Sequence, residues 1–79
     1  MNPTKRRTRL LFLARALREE ADRMTGERRK AMISESLQMS YIYRTIGHHT
    51  DAIIDGFMDA AIDSIVAAAS SRVTWQVTA

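Results

Sequence analysis

The stretch from Thr50 to Ser70, TDAIIDGFMDAAIDSIVAAAS, constrains the fold more than any other part of the chain. Asp51, Asp55, Asp59 and Asp63 recur every fourth residue, so on a helix they form one slowly drifting polar ridge. Ile53, Ile54, Phe57, Met58, Ala61, Ile62, Ile65, Val66 and Ala68 cover most of the remaining circumference. A helix this apolar needs covering on two sides. The stripe Ile54, Phe57, Met58, Ala61, Ile65 and Ala68 is expected to meet the same stripe of a second copy, which leaves Ile53, Ile62 and Val66 for the chain's own helices. Ala60, Ala61, Ala67, Ala68 and Ala69 would let two such helices approach closely.

Two further helices precede it. Asn2 before Pro3 is a helix start, with an amide at the N-cap and proline where its missing N–H is not needed. Leu10, Leu13, Ala14, Leu17, Ala21 and Met24 then fall on one face at spacings of three and four. Gly26 suits the left-handed residue that closes a helix, and Gly47 the stop of the next one. Between them, Ile33, Leu37 and Ser40/Tyr41 make one stripe and Met32, Met39, Tyr43 and Ile46 another, so this helix has either a broad buried face or a bend near Ser34–Ser36. Thr50 caps the third helix, and Asp51 faces the positive end of its dipole. After Arg72, Val73, Trp75 and Val77 alternate with Thr74, Gln76 and Thr78 in the period-2 pattern of a strand.

These patterns predict an all-α fold: a three-helix antiparallel bundle, or a helical-hairpin protomer of a helical dimer, with helices over about 3–24, 27–46 and 50–70. Residues 1–71 form a single helical domain, and 72–79 form an extended tail whose Trp75 assists the dimer contact. A chain of 79 residues without cysteine has neither disulfides nor a thiolate zinc site to reinforce a small core, so regular helix packing or self-association must do so. The lack of cysteine also fits a reducing, cytoplasmic setting.

Charge divides the chain. Residues 1–30 hold ten basic and four acidic side chains, a net of +6, and residues 31–79 hold two basic and five acidic, a net of −3. The basic start resembles an organellar presequence, but the helical pattern continues through Glu19–Met24, and Arg15 ends the apolar run too early for a secretory signal. No apolar run approaches the length of about 20 residues that spans a membrane.

Little in the chain points to chemistry. His48, His49 and Asp51 are the one cluster with the composition of a metal site, and adjacent histidines in a turn lack the spacing and second shell of a tight one, so a solvated loop is expected. The aspartate ridge lies on a single helix face, which neither buries carboxylates nor opposes them, so Asp51, Asp55, Asp59 and Asp63 are read as a solvated face or as a docking ridge for a basic partner. Part of that ridge is expected to meet the basic first helix, within one chain or across a dimer. No catalytic residue, metal or cofactor is expected.

Ile42, Ile46, Gly47, Thr50 and Ile53 resemble helix-turn-helix spacing over about 20 residues. His48 stands where that family is apolar, and Asp51, Asp55 and Asp59 would enter a polyanionic groove, so no DNA-reading role transfers to this chain. The expected function is that of a small, non-enzymatic interaction module, a homodimer that acts stoichiometrically on a partner protein as a regulator, adaptor or inhibitor of the kind phages and mobile elements encode. The alternative is a nucleic-acid-binding protein that uses Lys5, Arg6, Arg7 and Arg9 against phosphates.

Overall fold

A computed structural model describes the backbone of residues 3–78 and the side chains of residues 4–71. Its order is α1 (Pro3–Asp22), α2 (Gly26–Arg44), a 3₁₀ turn (Ile46–His48) and α3 (Asp51–Thr78). α1 packs against both α2 and α3 in a three-helix bundle. Tight connections reverse the chain twice, so α1 and α3 run parallel and α2 runs antiparallel to both.

Each boundary has a local cause. Pro3 is the first helical residue of α1, while the expected cap Asn2 lies outside the described residues. α1 stops at Asp22, two residues short of Met24, as the N–H groups of Arg23 and Met24 tighten to the carbonyls of Glu20 and Ala21 at 3.1 and 3.0 Å. Gly26 has φ 63°, the left-handed conformation expected of it, and opens α2. From the first turn of α2, Arg29 donates to the Ala21 carbonyl at 3.0 Å and pairs with Asp22 at 3.3 Å, satisfying the end of α1. α2 ends at Arg44, short of the expected Ile46, where the Thr45 N–H is shared between the Tyr41 and Ile42 carbonyls at 3.0 and 3.2 Å and the chain tightens into the 3₁₀ turn, the His48 N–H donating to the Thr45 carbonyl at 2.9 Å. Thr50 caps α3 as expected, its hydroxyl accepting from the Ile53 N–H at 3.3 Å.

The core is one cluster, with Leu10, Leu13, Ala14, Leu17 and Ala21 of α1 against Met32, Met39 and Ile42 of α2 and Ile54, Met58, Ala61 and Ala68 of α3. Of the two stripes on α2, the one with Met32 and Met39 is buried, and Leu37 and Tyr41 face outward. Ser36 lies on the buried side and donates to the Ala14 carbonyl at 2.7 Å, which ties α2 to the middle of α1.

Two expectations are corrected. The stripe assigned to a second copy is the inner face of α3: Ile54, Met58, Ala61 and Ala68 are buried in the chain's own core, and Phe57 and Ile65 are partly buried against it. Ile53, Ile62 and Val66, assigned to the chain's own helices, are exposed. Periodicity shows that α3 has two apolar sides and leaves open which one turns inward. The C-terminal segment is not extended; its backbone continues α3 as helix to Thr78. Among the described residues there is no strand for Val73–Val77 to pair with, and lengthening an existing helix needs no new nucleus.

The core therefore rests on few side chains. Leu17→Ala, at a fully buried position, is expected to lower the unfolding free energy by about 2–5 kcal/mol, as much as the whole margin of about 3–5 kcal/mol for a domain this small. Leu37→Ala, on the outer face of α2, is expected to change it by less than about 0.5 kcal/mol. Urea titrations of the two variants test the contrast.

Candidate functional site

Arg6 joins the first turns of α1 and α3. It precedes Leu10 by four residues and Leu13 by seven, so it stands on the buried stripe of α1, and its side chain is only 8% exposed. Its guanidinium forks onto Asp55, with Nε to Oδ1 at 3.1 Å and Nη2 to Oδ2 at 3.4 Å, and Nη1 reaches Asp51 at 3.2 Å. The expected meeting of acidic ridge and basic helix thus occurs within one chain. The hydrogen bond from Arg6 is the main reason the Asp55 carboxyl sits below the usual aspartate range, with partial burial opposing it and the charges of Arg6 and Arg9 assisting. Arg6 is raised in turn, chiefly by that same hydrogen bond.

The rest of the ridge and of the basic cluster points outward. Asp59 and Asp63 are exposed, as are Lys5, Arg7 and Arg9. Trp75 lies outside the described side chains. His48 is exposed, and His49 leans back on α2, with Nε2 2.9 Å from the Thr45 hydroxyl and its ring edge-on to Tyr41 at 6.4 Å between centroids. Among the described residues no three His, Asp or Glu side chains converge to hold a metal ion. None of the described helices is long and apolar enough to cross a membrane.

A second polar tie links α2 to α3, where the Ser64 hydroxyl donates to Glu35 Oε1 at 3.0 Å. Glu35 stands three residues after Met32 and four before Met39, a carboxylate on a buried stripe, and that spacing is the sequence signal for such a tie. Glu20 is buried too and is reached by Arg23 at 3.2 Å.

Two grooves open on the bundle. One, of about 530 Å³, lies between the α1–α2 turn and the second half of α3; Met24, Met32, Ala67 and Ala68 line it, with Arg23 and Arg28 at its edge. The other, of about 450 Å³, lies over the Arg6 junction and is lined by Thr4, Arg7, Ile46, His49 and Asp51. Arg6 and Asp51 pair within it, and Arg7 adds a second, exposed cation.

The largest outward apolar side chains include two groups, with Ile53 exposed on the side of α3 opposite Ile62. Leu37 and Tyr41, one turn apart on α2, are 63% and 54% exposed, and Leu11 of α1 is exposed beside them. The hydrogen bond from Ser36 to Ala14 sets this register: in antiparallel helices three residues back from Ala14 is level with three residues on from Ser36, between Leu37 and Tyr41. On α3, Ile62 and Val66 are exposed, and so is Phe12 on α1. No family model, curated protein or solved structure matches this chain.

Because folding holds Asp55 below its usual value, its contribution to stability is complete above the usual aspartate range, near pH 4, and is lost as pH falls through the lowered value. Urea unfolding measured from neutral pH down to about pH 3 is expected to show a shallower acid loss for Asp55→Asn than for the wild type. Equal slopes would mean that the Asp55 carboxylate contributes nothing to folding through Arg6.

Proposed function

We propose that this chain is a non-enzymatic protein-interaction module that acts in the cytoplasm, as a homodimer, by covering a partner protein stoichiometrically. As regulator, adaptor or inhibitor it would use its surface rather than a reactive group. The observation that carries this reading is the outer face of α2. Leu37 and Tyr41 stand one turn apart, each more than half exposed, with Leu11 beside them on α1. Adjacent outward Leu and Tyr side chains offer the apolar and aromatic anchors on which interfaces concentrate their energy. The charged groups support the same reading: Arg6 is committed to Asp51 and Asp55, Glu35 to Ser64 and Glu20 to Arg23, all as ties between or within helices.

The nucleic-acid alternative has weaker support. Arg6, one of the four cations it relies on, turns inward, and Asp51 and Asp55 lie at the same end of the bundle, where they oppose a phosphate backbone.

Capture with tagged native protein tests the proposal. A protein bound at a fixed ratio by the wild type and lost with Leu37→Glu plus Tyr41→Glu is the expected result; both positions are exposed, so helicity should not change. Recovery of nucleic acid alone, with a gel shift that weakens as salt rises, would overturn it.

A further inference from the structure

Phe12 of α1 and Ile62 and Val66 of α3 are exposed on two helices that pack against each other. Arg6 faces Asp55 on α3 and the Ala14 carbonyl faces Ser36 on α2; Arg9, three residues after Arg6, turns to the side of Arg6 away from Ala14, which puts it on the flank of α1 that borders α3. Phe12, three residues on, shares that flank. On α3, Asp59, Ile62 and Val66 follow Asp55 by four, seven and eleven residues and so share the flank that borders α1. The two helices run parallel from the Arg6–Asp55 contact, so levels can be compared directly. Phe12 lies about 9 Å beyond Arg6 and Ile62 about 10 Å beyond Asp55, at 1.5 Å per residue. They stand at the same level, with Ala16 and Val66 one turn higher. Phe12 is 68% exposed and Val66 57%. Arg9 on the α1 half and Asp59 and Asp63 on the α3 half frame this patch, and all three are exposed.

We infer that this α1/α3 face receives a second copy of the chain, about a twofold axis parallel to the helices. The inference rests on the homodimer in the proposed function and gives it a surface and a symmetry. Charge selects the occupant, since Arg9 stands on the α1 half at about the level where Asp59 stands on the α3 half, with Asp63 one turn on, and each can meet its opposite in a second copy. It also selects the axis. A twofold parallel to the helices sets α1 of each copy against α3 of the other, with Arg9 level with the partner copy's acidic ridge and Phe12 level with its apolar pair. The perpendicular in-plane twofold would set α1 against α1 and α3 against α3, cation facing cation and carboxylate facing carboxylate. An isologous contact of the first kind closes at two copies. The α2 face with Leu37 and Tyr41 remains open in this dimer, so self-association and partner capture use different surfaces.

Sedimentation equilibrium of the full chain tests the inference. The wild type is expected to be dimeric at micromolar concentration, and Phe12→Glu with Val66→Glu to raise the dissociation constant at least about tenfold with unchanged helicity. Arg9→Asp alone and Asp59→Arg alone should each weaken the dimer, and the two together should restore much of it, since the swapped charges again face each other. The natural absence of cysteine allows a readout of symmetry. A tagged Phe12→Cys chain mixed with an untagged Ile62→Cys chain should form the mixed disulfide in preference to the disulfide between two Phe12→Cys chains. A wild-type dimer unaffected by the glutamates, or one in which two Phe12→Cys chains cross-link preferentially, would overturn the surface or the axis while leaving a homodimer in place. A wild-type monomer would overturn the homodimer itself and this inference with it.

Discussion

The rotation of α3 about its own axis is the constraint on which the rest of this structure depends. A helix with apolar side chains on two sides gains comparably from turning either one inward, so hydrophobic burial alone leaves its orientation nearly free. The Arg6 guanidinium removes that freedom. It lies on the buried stripe of α1, its side chain almost fully enclosed, and in the native rotation Asp51 and Asp55 come round to pair with it. An enclosed cation without partners is costly, so alternative rotations of α3 are penalised more strongly than the native one is rewarded. With Asp55 at the α1 border, Ile54, Met58 and Ala61 must face the core and Ile62 and Val66 must face out.

Similar logic holds α2 in place. Its buried stripe includes Ser36, which donates to the Ala14 carbonyl, and Glu35 is partly buried beside it, with Oε1 accepting from the Ser64 hydroxyl and Oε2 buried without a hydrogen-bond partner. Polar ties of this kind add about 0.5–3 kcal/mol each, and they fix register, because a helix displaced by one turn would lose both. Arg29 adds an end-on tie by meeting the last carbonyls of α1. A small core of Leu, Ile, Met and Ala, with Ala14, Ala21, Ala61 and Ala68 in its seams, packs helices closely but specifies little by shape, so these polar contacts carry much of the specificity.

The surface follows from the same arrangement. Once Arg6 is internal, the outward cations of the first turns of α1 flank Leu11 and Phe12, and the outward carboxylates of α3 flank Ile62 and Val66. Basic and acidic halves of the chain are thereby set next to one another along one side of the bundle, while the outer face of α2 carries apolar anchors with little charge between them. A chain this short has room for little beyond a core and its surfaces, and here the surfaces differ enough in chemistry to serve two different contacts.

Much of the fold was legible in the chain itself. The stripe of α1, the left-handed Gly26 and the Thr50 cap are local properties, set by spacing and backbone chemistry within a few residues, and each appears where the sequence places it. The meeting of acidic ridge and basic helix was legible as well, because opposite charges in a chain this short find each other at little entropic cost. The choice between two apolar stripes on α2 and two on α3 was not. Equal periodicity on both sides contains no information about which side is inner; that depends on Arg6, Ser36 and Glu35, whose partners lie between 22 and 49 residues away. The helical backbone of residues 72–78 was likewise decided outside its own pattern: alternation favours a strand only where another strand exists to pair with, and the helix already running through Ser70 continued instead.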